Sequence, residues 1–173
     1  MTIKTDLIRH KILVSRFAIA QARQFIQELS EIKKLYKLGF SKPALETAFD
    51  KLVDNQLQRL LDFGVYESKF YAKVLTKYLK KDVKPQSVIK NNLLAWPLPL
   101  GLRTQVKSVG QSYEIFKHKK IVQIIQAVND AQIQKRDAKG ALDEIFAGLF
   151  TAQAKALVTT SVHCVCGNVR MLF

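Results

Sequence analysis

The sequence has none of the short motifs that mark common enzyme and cofactor sites. It has no G-x-x-x-x-G-K or G-x-G-x-x-G loop to hold phosphates, and no H-E-x-x-H or paired-cysteine spacing to hold a metal. Ser161 is not surrounded by a nucleophile elbow. The acidic residues are scattered along predicted helices, mostly where Lys or Arg can pair with them. We therefore predict a protein that is not an enzyme, with no cofactor and no small-molecule substrate.

Cysteines and long apolar runs are also scarce. The two cysteines, Cys164 and Cys166, diverge by roughly 200° on a helix. We therefore expect reduced thiols in a cytosolic setting and no disulfide between them. No segment approaches the ~20 uninterrupted apolar residues that span a bilayer. Charges recur at every turn of residues 1–38, which is unlike a signal peptide.

The three histidines offer little for a metal site. His10, His118 and His163 are far apart in the sequence. His163 and Cys166 share a helix face at a spacing of three, and two ligands could come from there. Two more would have to come from elsewhere, because Cys164 points away. Burial of small residues on a helix is the better interpretation, so we predict no metal site.

The sequence has no alternating strand pattern, whereas helical spacing recurs along its length. We predict an all-α, elongated multi-helix protein with an N-terminal helical region (1–81), a proline-rich extended arm or linker (82–101) and a C-terminal helical region (102–173). The predicted helices cover residues 4–36 (ended by Gly39), 43–64 (ended by Gly64), 66–79, 102–112, 115–134, 141–149 (after the N-cap Asp137) and the terminal segment from the N-cap Thr151.

The arm contains Pro85, Pro97 and Pro99, which exclude a continuous helix. Its segment around Trp96 is apolar and extended, and Trp96 has two possible roles. It could fill a groove on a neighbouring protein, or it could cover the core of its own chain. The candidate interface residues in this arm are Trp96, Leu98 and Leu100.

The terminal segment has an apolar stripe at helical spacing that continues to the last residues. We expect part of this stripe to be covered by the protein's own helices, and residues 171–173 to be covered by a neighbouring protein. The residues expected to pack internally are Leu157, Val158, Val162, Val165 and Val169, and those assigned to the neighbour are Met171, Leu172 and Phe173.

Acidic residues are half as numerous as basic ones, and the net charge is +14. Residues 63–120 hold most of it, with 12 Lys and Arg against 3 Asp and Glu. Such a surface attracts polyanions, although a solvated lysine face is an equally good interpretation. No base-reading helix is recognisable, so the prediction is limited to sequence-independent phosphate contact. The candidate contacts are Lys69, Lys73, Lys77, Lys80, Lys81, Lys84, Lys117, Lys119 and Lys120.

The terminal segment resembles a motif of the minor head proteins of tailed phages, the head-morphogenesis family that includes the F protein of phage Mu. The residues that carry the resemblance are Ala154, Leu157, Thr160, Ser161, Val165 and Arg170. Thr159 and His163 stand where the family usually has Arg and Asn. Weaker similarities lie upstream, in residues 7–10, 64–70 and 98–101, so the resemblance spans most of the chain.

The resemblance implies a structural virion protein that is present in several copies and acts in head assembly and in genome packaging or delivery. The implied location is the portal vertex or inner capsid face of the virion, with the host cytoplasm during assembly. The implied partners are the portal protein, the major capsid protein or both, and in this role the basic region 63–120 would face packaged double-stranded DNA. Two alternatives stay open. One is an internal ejection-type protein that touches DNA or membrane, and the other is a helical nucleic-acid-binding module unrelated to phages.

Overall fold

Helices dominate the computed structural model, which describes residues 2–38, 41–98 and 107–173. The elements are α1 (Ile3–Ile32), a 3₁₀ helix (Lys33–Leu38), α2 (Lys42–Leu79), α3 (Lys90–Ala95), β1 (Pro97–Leu98), β2 (Lys107–Ser108), α4 (Val109–Ile133), α5 (Ala138–Ala147) and α6 (Leu149–Arg170). The two short strands pair antiparallel, with Pro97 opposite Ser108. The predicted all-α class is confirmed.

The four long helices, α1, α2, α4 and α6, run alternately up and down. Helices α2 and α6 are parallel to each other, and α1 and α4 are antiparallel to both. Short loops suit such antiparallel neighbours, while the longer link from α2 to α4 contains α3 and the strand pair. The directions follow from contacts between the helices. Asp6–Lys77 and Glu28–Arg59 join α1 to α2, Asp50–Lys117 joins α2 to α4, and Lys120–Gln153 joins α4 to α6. Gly64–Val165 and Tyr71–Cys166 join α2 to α6.

One hydrophobic core draws side chains from all three segments defined by the sequence. The apolar stripes predicted on the long helices face this core, as amphipathic periodicity requires. On α6 the internal part of the prediction is confirmed, because all five expected residues are buried. They are Leu157, Val158, Val162, Val165 and Val169. Each fully buried side chain of this size contributes roughly 1.5–3 kcal/mol relative to an exposed one.

Gly64 does not end a helix, which corrects the sequence prediction. Helix α2 runs without a break from Lys42 to Leu79. The reason is packing, because a Cβ atom at Gly64 would lie 2.9 Å from Cγ1 of Val88 and 3.4 Å from Cγ1 of Val165. Glycine here allows close approach of two neighbours, and burial of their side chains outweighs its low helix propensity.

Three other helix boundaries differ from the sequence prediction. Helix α6 begins at Leu149 after Gly148, so Thr151 is not its N-cap; the Thr151 hydroxyl donates to the carbonyl of Phe146 at 2.8 Å. Helix α4 is continuous from Val109, where the side chains of Ser108 and Gln111 form a capping box. Residues 102–106 and Gly39 lie outside the described residues. Asp137 caps α5 as predicted, although this helix begins at Ala138.

The predicted extended arm is folded against the protein's own helices. Its prolines exclude a helix through residues 85 and 97 but not between them, where α3 forms. Leu98 is 1% exposed, so its predicted contact with another protein is wrong. Trp96 is half-buried against the core of its own chain. Leu100 lies outside the described residues.

Within the stretch Ala138–Arg170, a window of 18 residues reaches a mean hydropathy of 1.3, so this stretch meets the length and hydropathy criteria of a helix able to cross a membrane. Its apolar side chains are also those that α6 packs into the core. A core helix meets the same two criteria, so the stretch carries no argument for a membrane span.

Candidate functional site

Five lysines form an exposed basic surface at the end of α2. Lys69, Lys73 and Lys80 are spaced by four and seven residues and so share one side of the helix, while Lys81 and Lys84 follow in the next segment. Lys80 ends the helix in the left-handed conformation, with φ 52°. Among the residues that the structure describes, none of these five makes an ion pair. We call this group the α2 lysine surface.

Lys77 lies beside this surface but has a partner. Its ammonium group lies 2.8 Å from Oδ2 of Asp6, and the hydroxyl of Tyr78 donates to the same oxygen. These hydrogen bonds lower the pKa of the Asp6 carboxyl. The contact joins the start of α1 to the end of α2 and compensates the charge of Lys77, which therefore attracts a polyanion less than its free neighbours do.

The three candidate lysines on α4 have different environments. Lys119 is exposed, and Lys117 pairs with Asp50 at 2.8 Å and Glu114 at 2.7 Å. Lys120 is 1% exposed, so its predicted contact with phosphate is wrong. Its ammonium group donates to Gln123 and Gln153 and lies 4.0 Å from the ring centroid of Phe150.

The predicted basic region is thus divided between two places in the fold. Lys117 lies beside Asp50, whereas Lys80 lies thirty residues further along the same helix α2. A rise of 1.5 Å per residue separates these positions by about 45 Å. Of the two places, the α2 lysine surface is the one that combines exposure with several lysines that form no ion pair among the described residues.

A second candidate site is a buried polar cluster formed by His10 of α1, Glu67 of α2 and Cys166 of α6. His10 is 4% exposed and Glu67 is 0% exposed. Nε2 of His10 lies 2.9 Å from Oε2 of Glu67, and one ligand atom from each of the three residues lies within 4.8 Å of the others. The ring of Phe70 stacks on the imidazole at 3.5 Å between centroids and fixes its plane.

Two atoms of this cluster are buried without a hydrogen bond. They are Nδ1 of His10 and Oε1 of Glu67, and neither finds a partner in the described parts of the chain. An unsatisfied buried polar group costs roughly 1–3 kcal/mol, and more when it is charged. These two buried atoms are therefore candidates for contact with a bound ion or small molecule that supplies the missing interaction.

The thiol of Cys166 completes the cluster. Burial and then the Glu67 carboxylate raise the pKa of this thiol to about 12, so the thiol is protonated at neutral pH. The hydroxyl of Tyr71 lies 3.8 Å from Sγ of Cys166, and burial raises the pKa of that hydroxyl as well. Cys164 faces away, and its thiol lies 3.1 Å from the carbonyl of Pro97. The predicted divergence of the two cysteines is confirmed, and both are free thiols.

Two pockets reach His10 from opposite sides. The first, about 490 Å³, is lined by Leu7, His163, Cys166 and Arg170 among others. The second, about 520 Å³, reaches Glu67 as well. His10 and Glu67 are thus almost completely buried, while the two pockets border the cluster, the first at His10 and Cys166 and the second at His10 and Glu67.

The sequence does not single out His10 and Glu67 as a pair, because the cluster assembles from three helices. The helical stripes did contain a signal. His10 lies four residues before Val14 on the buried face of α1, and Glu67 lies four residues after Phe63 on the buried face of α2. A polar residue on each of two neighbouring apolar faces indicates a buried pair. Which third residue joins them depends on how α6 docks.

The residues of the phage-like motif lie mostly in the core. Ala154, Leu157, Ser161 and Val165 are buried, and the Ser161 hydroxyl donates to the Leu157 carbonyl at 2.7 Å. Their pattern is that of a packing face. The two other motif residues differ, because Thr160 is half-buried and Arg170 is exposed at the edge of the first pocket.

The candidate interface residues at the end of the chain are exposed. Met171, Leu172 and Phe173 are 83%, 43% and 38% exposed. The ring of Phe173 approaches that of Tyr71, with 6.2 Å between centroids. Their contact with a neighbouring protein stays a prediction.

Comparisons of the chain with protein-family models, curated proteins and solved structures find no match.

Proposed function

We propose that the protein is a structural component of a tailed-phage head, located at the portal vertex or the inner capsid face, with its α2 lysine surface against packaged double-stranded DNA. In this role it contacts the portal or major capsid protein and acts in head assembly and genome packaging or delivery. It is present in several copies and performs no catalysis. The motif on α6 supports the assignment to the virion.

The observation that carries the DNA contact is the α2 lysine surface itself. Five ammonium groups lie at the end of α2 and in the segment after it, none forms an ion pair among the described residues, and Asp82 is the one carboxylate within this segment. Phosphate neutralisation by such groups releases counterions and is independent of base sequence. Nothing in this surface provides the bidentate side-chain fork that reads base edges, so we expect affinity without sequence preference.

Binding of duplex DNA at rising salt tests this contact. Each phosphate contact adds about 0.9 to the slope of log affinity against log salt. Replacing Lys69, Lys73, Lys80, Lys81 and Lys84 by Gln should therefore lower the magnitude of the slope by up to about 4.5. The matched control removes the same charge elsewhere, at Arg23, Lys51, Lys135, Lys139 and Lys155. An equal loss in both variants, or a wild-type affinity that ignores salt, contradicts the proposal.

Cross-linking and mass spectrometry of whole virions test the location. We expect links from portal or capsid proteins to residues 154–173, concentrated at the exposed Met171 and Leu172. Virions that contain the protein without any such link would refute the proposed placement. Virions that lack the protein would refute the virion assignment as a whole.

The outer face of α1 favours the ejection-type alternative enough to test it. Ile8, Ile12 and Ile19 are 53%, 50% and 45% exposed, and Lys11 and Arg16 lie between them. Exposed apolar and basic residues combined on one helix are typical of binding to an anionic membrane surface. Flotation with anionic liposomes distinguishes the two functions. Binding of the wild type to anionic liposomes that is abolished by Ile12→Gln supports the ejection-type alternative. If the wild type does not bind the liposomes, this alternative is excluded.

A further inference from the structure

We propose that His10, Glu67 and Cys166 form a binding site for a divalent transition-metal ion of the zinc class, with one protein ligand from each of α1, α2 and α6. The site is independent of the proposed DNA contact, which lies on the exposed face of α2. It joins the three helices whose mutual packing forms this end of the core.

The donor set indicates the class of metal. An imidazole nitrogen, a carboxylate oxygen and a thiolate sulfur together suit zinc and exclude magnesium or calcium, which require oxygen ligands. Three protein ligands with one open position are also the pattern of zinc sites that keep a water molecule. Two of the three ligands, His10 and Cys166, line the first pocket, on whose wall His163 and Arg170 also lie, so this pocket is where a water molecule would reach a bound ion.

The distances need little adjustment. In tetrahedral zinc sites with bonds of about 2.0 Å to nitrogen and oxygen and about 2.3 Å to sulfur, neighbouring ligand atoms lie about 3.3–3.5 Å apart. The ligand atoms here all lie within 4.8 Å of one another, and Nε2 of His10 lies 2.9 Å from Oε2 of Glu67. Shifts of a few tenths of an ångström to about 1 Å, within reach of side-chain torsions, convert the cluster into a coordination site.

Charge and hydrogen bonding favour occupancy. Glu67 is fully buried, and its Oε1 atom has no hydrogen-bond partner among the described residues, so a cation bound to this carboxylate compensates a buried charge that the protein leaves only partly satisfied. Binding replaces the thiol proton of Cys166 by the metal and releases that proton to water. One carboxylate and one thiolate then neutralise a divalent cation, which avoids leaving a net charge in the core. The nearby Tyr71 hydroxyl can donate to the coordinated sulfur.

Cobalt(II) titration of the untagged, reduced full chain tests the site. We expect one equivalent to bind with a sulfur-to-cobalt charge-transfer band and with the visible bands of a tetrahedral ion, and zinc to displace it. Cys166→Ser should abolish the charge-transfer band and weaken zinc binding by more than the roughly 10–100-fold that loss of an outer-shell partner costs. Glu67→Gln and His10→Asn should weaken it as well.

The chain offers matched controls for both residue types. Cys164→Ser removes the other cysteine of the same helix, and His118→Asn removes an exposed histidine (70% exposed side chain). Both should bind like the wild type. If the wild type fails to bind cobalt or zinc at micromolar concentration, or if Cys166→Ser keeps the charge-transfer band, the proposal is overturned.

A measurement on the wild type alone covers the case in which a cluster variant does not fold. Zinc should slow alkylation of Cys166, mapped by peptide mass spectrometry, and leave alkylation of Cys164 unchanged. Equal protection of both thiols, or protection of neither, refutes the site. None of these results depends on DNA binding, so the proposed function can fail while the metal site stands.

Discussion

Lys120 is a cation held inside the protein without an acidic partner among the described residues. Its side chain lies between the rings of Phe116 and Phe150, with the ammonium group donating to Gln123 and Gln153. Burial, and then the neighbouring charge of Lys119, lower its pKa from 10.5 to about 8. The unfolded chain therefore binds this proton more tightly than the folded one. Folding is penalised below pH 8, and the penalty disappears as the pH rises from 8 towards 10.5.

Replacing Lys120 by Met should stabilise the protein at pH 7 by about 1–3 kcal/mol, because an uncompensated charge leaves the core while its volume is kept. The gain should shrink between pH 8 and 10, since the wild type no longer bears the charge there. Urea unfolding of the wild type and the variant at pH 7 and at pH 10 measures this difference in the free energy of unfolding. The control, Lys73→Met, changes an exposed lysine that forms no ion pair among the described residues, and it should have little effect. A variant that is less stable at both pH values would show that the hydrogen bonds of Lys120 outweigh its desolvation.

At the scale of the helix, two glycines show how packing overrides propensity. Gly64 lies inside α2 and touches Val88 and Val165, whereas a Cβ atom on Gly167 of α6 would meet nothing within 4 Å. Both positions carry the same intrinsic cost of glycine in a helix, about 1 kcal/mol relative to alanine. Only the environment of the added methyl group differs, so the pair isolates the packing contribution.

Gly167→Ala should raise the free energy of unfolding by up to about 1 kcal/mol, and Gly64→Ala should lower it by about 1–2 kcal/mol because of overpacking against Val88. Urea unfolding with an unchanged m-value measures both changes. In the double variant with Val88→Ala, the cost of Gly64→Ala should largely disappear. If Gly64→Ala alone stabilises the protein, the side chain of Val88 can move away from the added methyl group at little cost, and the prediction is wrong.

At the scale of the whole molecule, one core includes residues from before, within and after the segment 82–98. Val88, Leu93 and Leu98 of that segment are buried among the long helices. Shared burial couples the segment to the bundle, and small domains coupled in this way unfold in a single transition. The sequence had divided the chain at this segment, because its prolines interrupt the helical pattern.

The single tryptophan gives a direct test of this coupling. Trp96 fluorescence reports on the segment, and far-UV circular dichroism reports on the long helices. We expect the two signals to change at the same urea concentration. An earlier change in fluorescence would show that residues 82–98 detach first and act as a linker, as the sequence pattern predicts.

The sequence by itself determined the helical class, the buried faces of the long helices and the cap at Asp137, because the 3.6-residue period and side-chain capping are local properties. The tertiary structure decided what local patterns do not encode. It carried α2 through Gly64, placed Lys120 inside while Lys119 stayed outside, and brought His10 to Glu67 across 57 residues. Each outcome depends on which helix docks against which face, and therefore on contacts between distant residues.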